Sequence, residues 1–399
     1  MIEVVGVGAA GWASLTPAAQ ELLLRGELLL GGARHLAMVP PVVGQRREPW
    51  PSDLRAALPG LLGDHVGRSV VVLASGDPLV AGVGATLVDL VGAARVRIHP
   101  AVSSVALARA RLGWPEETVE LIRLRGDDVD LVRRALFPGR RVLVLSRDAD
   151  SPAEVAALLV ATGFGASELT VLGDLGGAGE SIRTAPALGW TGDSPALNIV
   201  AIDCRADPVG TWSLAPGLPD EVFDHDGQLT KRNLRASALA HLQPRPGELM
   251  WDVGAGAGSV AVEWARSHPS CGALAVERDP ERARRIRANA RSLGVPGVEV
   301  VLGAAPEVLD DLPTPDAVFV GGGATAETLE RSWSALRPGG RLVVHAVTLE
   351  TEMIMEQAWR QHGGELTRIA VEQLERIGSY HGWKPARAIV QWSATKGTG

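Results

Sequence analysis

The sequence predicts an α/β protein built from two domains in tandem. Three observations carry this. Short Val/Leu/Ile-rich runs alternate with helical stretches in two separate segments. A Pro/Gly-rich stretch without periodicity, "RADPVGTWSLAPGLPDEVFDHDG" at 205–227, lies between them. In both segments glycine clusters follow directly on apolar runs, the place where open α/β sheets bind ligands. The expected division is a first domain over 1–206, a linker over 207–224 and a second domain over 225–399.

In the first segment the apolar runs place strands at 2–7, 27–32, 68–75, 95–100, 140–146, 168–173 and 197–203. A helix is expected over 152–162, with Ser151 as N-cap and Pro152 at the first helical position. In the second segment strands are expected at 249–253, 273–277, 298–302, 316–320, 341–346 and 388–393. Helices fit 231–242, 258–267, 279–293, 325–336 and 351–362.

Composition narrows the class. Apolar residues make up 46% and charged residues 21%, which suits a globular core. The net charge of −7 argues against a nucleic-acid partner, yet leaves room for a local basic pocket. The two cysteines, Cys204 and Cys271, are far apart, so neither a zinc ribbon nor a disulfide framework is expected, and no metal site. No signal peptide is read at "MIEVVGVG", and glycines or charges interrupt every apolar run before membrane-spanning length. A cytoplasmic protein without a membrane partner is the expectation.

The stretch "LMWDVGAGAGSVAVEWA" at 249–265 runs from a strand through glycines into a helix. Such a turn lets a ligand approach the backbone and aims helix N–H groups at it. Dinucleotides and S-adenosylmethionine (SAM) both use this geometry. Here the glycines fall at 254, 256 and 258, one residue short of the dinucleotide spacing, and Asp252 would repel a pyrophosphate. An acid there suits the ammonium of SAM, directly or through water; the alternative is an acid serving the helix dipole. The candidate cofactor loop is Asp252, Gly254, Ala255, Gly256, Ala257 and Gly258. Glu277 ends the next strand and could grip ribose hydroxyls, or be a solvated strand-end charge. Ala304 and Ala305 leave room for an adenine edge. Gly321, Gly322 and Gly323 follow the fourth strand, where no Asn/Asp-Pro-Pro-aromatic motif occurs, and suggest a floor for a large flat substrate. The basic helix "ERDPERARRIRANAR" reads as a solvated face or a substrate patch.

The first domain opens on "GVGAAG", which fits the dinucleotide fingerprint, but the second strand ends in glycines where the ribose-gripping acid should stand. A nicotinamide cofactor is therefore disfavoured. Gly8, Asp77, Ser103 and Ser104, at three strand ends, outline a cofactor cleft instead. Asp77 in Gly-Asp-Pro could also be a plain turn residue.

The motifs "GVGAAG", "LASGDPLVAGVGATL" and "HPAVSSVALARARLGWP" resemble the cobalamin-pathway branch of the tetrapyrrole methylases. The motifs "GQLTKR", "DVGAGAG", "AVERDP", "PDAVFVGGG" and "RPGGRLVVHAVTLET" resemble the decarboxylating precorrin methyltransferases, a Rossmann-like class I SAM methyltransferase sheet. The resemblance implies one SAM per domain and precorrin-6Y, a polycarboxylate tetrapyrrole, as substrate. It implies methylation at C5 by the first domain, and methylation at C15 with loss of the ring C acetate carboxylate by the second, giving precorrin-8X. It adds Thr230 to the second cofactor site and Val80 to the first, and implies a homo-oligomer. Arg232 and Arg235 beside Thr230, with Arg123 and Arg125, are candidate carboxylate clamps, a surface role being the alternative. The chain departs from the family's pattern twice. "IRLRGDD" at 122–128 stands where a Ser-Leu-His-Gly-Arg segment is usual, and His345 stands where an Asn is usual. A SAM-sensing or RNA-associated module is the reading from another class.

Overall fold

A computed structural model describes residues 1–51, 54–63, 68–124, 128–206 and 212–397. The chain divides into two compact units, Met1–Val129 with Ala135–Gly210, and Asp130–Arg134 with Thr211–Gly399.

The first unit holds two sheets. Strands β1 (Ile2–Val7), β2 (Leu28–Gly31), β3 (Arg46–Pro49), β4 (Val70–Ser75) and β5 (Val96–His99) form a parallel sheet in the order β3-β2-β4-β1-β5. Helices α1 (Pro17–Arg25), α2 (Ala33–Met38), α3 (Leu54–Gly63) and α4 (Val83–Val91) make the crossovers. Neighbouring residues of one strand serve opposite faces: Val4 and Val72 pack on one side, Val5 and Val71 on the other. The second sheet contains β6 (Val119–Arg123), β7 (Arg141–Leu145), β8 (Glu168–Gly173), β9 (Ser181–Pro186) and β10 (Asn198–Asp203), ordered β6-β7-β10-β8-β9. Only β6 and β7 pair in parallel. Helices α5 (Ser104–Leu112) and α6 (Ser151–Ala161) complete the unit's α-helices. Ser151 is the first residue of α6 rather than its N-cap. The N-cap is Asp150, whose side chain makes no capping bond; Asp148, two residues earlier, accepts the Ser151 N–H at 3.1 Å, while Ser151 Oγ accepts the Arg147 N–H at 3.1 Å.

The second unit is built on one mixed sheet. Its strands are β11 (Leu249–Val253), β12 (Gly272–Glu277), β13 (Glu299–Leu302), β14 (Ala317–Val320), β15 (Arg341–Ala346), β16 (Glu365–Ile369), β17 (Glu372–Ile377), β18 (Tyr380–Pro385) and β19 (Ile389–Thr395). The main sheet runs β13-β12-β11-β14-β15-β19-β16, and β17 pairs with β18 in a separate hairpin. The strands from β13 to β15 are parallel; β19 is antiparallel to both of its neighbours. Helices α7 (Arg232–Leu242), α8 (Ser259–Ser267), α9 (Pro280–Ser292), α10 (Ala326–Ala335) and α11 (Leu349–His362) cover it. Met250, Val262, Trp264 and Phe319 belong to one core cluster; Trp251, Val253, Val318 and Trp392 belong to another. The strand order reverses at β11, which lies between β12 and β14, so the crevice beyond its C-terminal end is the expected ligand position.

The stretch expected as linker differs. Residues 207–211 lie outside the described residues, and 212–224 are part of the second unit. Leu218 and Phe223 are buried in its core, and the Gly217 and Leu218 N–H groups donate to the buried Glu263 carboxylate at 2.6 and 2.9 Å. Aperiodic sequence here is irregular backbone held by a buried acid. Among the described residues no helix is long and apolar enough to cross a membrane, and no cluster of metal-ligating side chains occurs.

Candidate active site

The second unit carries a cavity of about 1140 Å³ at the C-terminal ends of its parallel strands. The glycine loop after β11 forms part of its wall. Gly254 and Gly256 have φ of +69° and +59°, a region that disfavours any side chain. A Cβ on Gly254 would lie 2.4 Å from the Gly322 carbonyl oxygen, and one on Gly256 would lie 2.7 Å from that of Gln228. Two neighbouring segments thus close on the loop, and only hydrogen fits between. The contact with Gln228 also explains why "GQLTKR" accompanies the glycine turn: the Gln228 carbonyl accepts the Ala257 N–H at 3.1 Å.

Glu277 lies at the end of β12 and is 4% exposed. Its Oε2 accepts the Gly256 N–H at 2.8 Å and its Oε1 accepts the Asp279 N–H at 3.0 Å. A carboxylate has about four acceptor sites, so it can still bind two hydroxyls. Gly254, Ala255, Gly256, Glu277, Ala304, Ala305, Thr230 and the three glycines 321–323 all line the cavity.

Asp252, Ala257 and Gly258 do not. Asp252 is 1% exposed and lies beneath the loop, where its Oδ2 accepts the Ala261 N–H at 3.0 Å in the first turn of α8. It serves the helix terminus, and direct contact with a ligand ammonium is not its position. Its Oδ1 is buried without a partner. Burial pushes the carboxyl up to about 7; the Ala261 bond opposes this and Glu277 adds to it. An unfolded carboxyl has lost its proton above about pH 4, so this group costs stability as pH rises towards and through 7. Asp252→Asn is therefore expected to stabilise the second unit at pH 8 by about 2–3 kcal/mol and to change little at pH 4.5. That is roughly 4 kcal/mol of relieved linkage less about 1–2 kcal/mol for a buried unpartnered amide N–H. Denaturant melts at the two pH values check it.

Arg235 is not a carboxylate clamp. It is fully buried, bonds Glu263, Asp220 and the Thr230 and Leu218 carbonyls, and stacks over the Phe223 ring at 4.8 Å. Its guanidinium donors are spent inside the protein. Arg232, one turn earlier on α7, is exposed and lines the cavity, as do Arg278 and Arg387. Those last two were not singled out by the sequence. Arg278 lies in "ERDP" immediately after Glu277, which was a usable signal; Arg387 precedes β19 with no pattern around it. In the basic helix, Arg282 lines the cavity while its Nε donates to Asp226 at 2.9 Å, holding that carboxyl down to about 2.

In the first unit, glycines again bring strand ends together. A Cβ on Gly6 would lie 2.0 Å from the Gly76 carbonyl oxygen and 2.7 Å from the Ala101 nitrogen, and one on Gly76 would lie 3.1 Å from Ser103 Cα. The first glycine of "GVGAAG" thus serves a backbone crossing. Gly8 follows β1, half-buried. Asp77 Oδ1 accepts the Leu79 N–H at 2.9 Å, and the Asp77 carbonyl accepts the Val80 N–H at 3.1 Å, which is turn chemistry. Ser103 is the N-cap of α5, its Oγ accepting the Ala106 N–H at 3.1 Å, and Ser104 begins that helix. Arg123 ends β6, exposed; Arg125 lies outside the described residues.

Comparison with known proteins agrees with two such units. Residues 1–187 match the family model for tetrapyrrole (corrin/porphyrin) methylases, and residues 221–396 match that for the precorrin methyltransferase domain. A precorrin-6Y C(5,15)-methyltransferase (decarboxylating) of Sinorhizobium sp is 44% identical over 99% of this chain and 96% of its own length. The chain belongs to the precorrin-6Y C(5,15)-methyltransferase (decarboxylating) family. A Mycobacterium tuberculosis protein of the same name is 42% identical over 99% of this chain and its own full length. The crystallised C-terminal domain of the Rhodobacter capsulatus enzyme is 44% identical and covers 46% of this chain and all of that one, with a TM-score of 0.45. Chemistry in this family is SAM-dependent methyl transfer.

Proposed function

We propose that the chain methylates precorrin-6Y at C5 with its first unit and at C15 with its second. The second unit also removes the ring C acetate carboxylate, to give precorrin-8X, and each unit binds one SAM. One observation carries the reading for the second unit: a single cavity joins a glycine-and-carboxylate wall to four arginines, of which Arg282 is paired with Asp226. Pockets for one drug-sized ligand span about 300–1,000 Å³. A cavity of about 1140 Å³ has room for a nucleoside and part of a flat macrocycle together. The Gly254–Gly256 backbone and Glu277 would hold SAM, with Thr230, Ala304 and Ala305 around it. SAM supplies an already activated methyl group, so the residues need chiefly to align acceptor and donor, and held partners gain effective molarities of about 10⁵–10⁸ M. Arg232, Arg278 and Arg387 would bind the substrate's carboxylates, and Gly321–Gly323 leave a flat surface.

For the first unit the convergence of the Gly6, Gly76 and Ser103 backbones supports a second SAM site. The test is mass analysis of precorrin-6Y incubated with SAM and the whole chain. A gain of two methyl groups with loss of one carbon dioxide is expected; retention of the acetate carboxylate refutes the role given to the second unit. Calorimetry with S-adenosylhomocysteine should find two sites per chain, and one site would refute the count. Arg387→Gln should raise KM for the tetrapyrrole about tenfold with kcat little changed, the signature of lost ground-state binding. Steady-state kinetics on C15 methylation check it.

A further inference from the structure

His345, at the C-terminal end of β15, is buried, 7% exposed, and yet lines the cavity. Its ring meets Phe319 edge-on at 5.0 Å. Its Nε2 lies 2.9 Å from the side-chain amide of Gln391 on β19, the residue paired with it across the sheet. Its Nδ1 makes no hydrogen bond to the described residues, so one ring nitrogen is tethered and the other is left over.

The tether fixes which nitrogen carries the proton. The Gln391 amide also touches Ser237 Oγ at 3.0 Å and His241 Nδ1 at 3.1 Å, both on α7. His241 Nδ1 lies 2.8 Å from the Ser237 carbonyl oxygen, which can only accept, so that Nδ1 bears a proton. An amide N–H pointed at it would set two donors against each other. The structure places Gln391 Oε1 at His345 Nε2 and Ser237 Oγ, and its Nε2 at His241. The two amide ends look alike, and the conflict is relieved when the amide is turned over, its oxygen facing His241 and its NH₂ facing Ser237 Oγ and His345 Nε2. His345 Nε2 is then an acceptor, and Nδ1–H is a donor.

We propose that His345 is a substrate-contacting residue of the second unit, its Nδ1–H donating a hydrogen bond to a carboxylate oxygen of the tetrapyrrole, with Gln391 as the positioning residue that sets its tautomer and ring orientation. This rests on the tetrapyrrole reading above. Burial holds the imidazole down to about 4, so it stays neutral across the working range. A neutral donor orients a carboxylate on the cavity wall, while the arginines supply the charge. Nδ1 is not among the buried atoms that lack a partner, so with Nε2 tethered it is the nitrogen open to the cavity.

Three substitutions separate the two nitrogens. The amide of Asn reaches the position of Nδ1, that of Gln the position of Nε2, and Leu replaces neither. His345→Asn should keep C15 methylation and decarboxylation within about threefold of the parent. His345→Leu and His345→Gln should each lower kcat/KM for these steps about 10- to 100-fold, the range for a lost hydrogen bond to a charged group. C5 methylation and S-adenosylhomocysteine binding should be unchanged in all three, which shows that they are folded. In the parent, ¹⁵N NMR of labelled histidine should report the Nδ1–H tautomer for His345. Gln391→Leu should lower the C15 steps and mix the tautomers. The proposal is overturned if the Leu variant equals the parent, if Gln outperforms Asn, if all three fail alike, or if the parent shows Nε2–H. A parent chain that adds no methyl at C15 sinks the functional reading itself, a separate outcome.

Discussion

Gly256→Val is expected to remove C15 methylation and decarboxylation while C5 methylation continues. The substituted residue would have to hold φ near +59°, where a β-branched side chain is strained, and its Cβ would lie 2.7 Å from the Gln228 carbonyl oxygen. Backbone, not a flexible side chain, is what it meets, so the loop must move. Moving it breaks the Gly256 N–H bond to Glu277, and the two elements of this cavity wall separate. A 1 Å misplacement can cost about 100-fold in rate, and this shift falls directly on the reacting partners. Mass analysis should show a product with one added methyl and its acetate carboxylate intact, and calorimetry should find one nucleoside site fewer than in the parent. Equal loss of both methylations would mean that the units do not work independently.

Arg235→Ala should destabilise the second unit by about 3–5 kcal/mol, the cost of leaving a buried charge without its partner. Glu263 is 2% exposed, and besides Arg235 it holds the Gly217 and Leu218 N–H groups, so the orphaned carboxylate would lie under the 212–224 segment. Denaturant unfolding should show this as a lower midpoint for the second transition. The surviving folded fraction should keep its KM for the tetrapyrrole. A clamp would behave in the opposite way, with KM rising and stability unchanged, and that result would return Arg235 to the cavity.

The sequence contained a signal for the interior role of Arg235, though not one that separates it from Arg232. Arg235, Ala238, Leu239 and Leu242 recur at the spacing of one helix face, and all four are buried on α7. A charge on an apolar stripe is a partner-seeking interior residue; Arg232 falls at the edge of the same stripe, about 20° from Leu239 at about 100° per residue, and is exposed because it opens the helix. The central strands were legible because β11, β12, β14 and β15 are apolar nearly throughout, as strands covered on both faces must be. Strands β3, β6, β9, β16, β17 and β18 escaped notice because they are partly or largely exposed and mix polar or charged residues with apolar ones, so no clear period marks them. Glu277 could be placed from its spacing to the glycine turn, since the crossover fixes that distance. His345 could only be flagged as a departure, because its significance depends on Gln391 and His241, which come together only in the folded sheet.

The glycine rim is also unequal in what it tolerates. Gly254 admits nothing larger than hydrogen, because the Gly322 carbonyl faces it at 2.4 Å from any added carbon. Gly322 itself meets no atom within 4 Å of the same addition, and it lies on the cavity wall. Variation can therefore accumulate on one side of this contact only. An alanine or serine at 322 would shrink the chamber without disturbing the wall opposite, which makes that position a dial for the size of acceptor admitted.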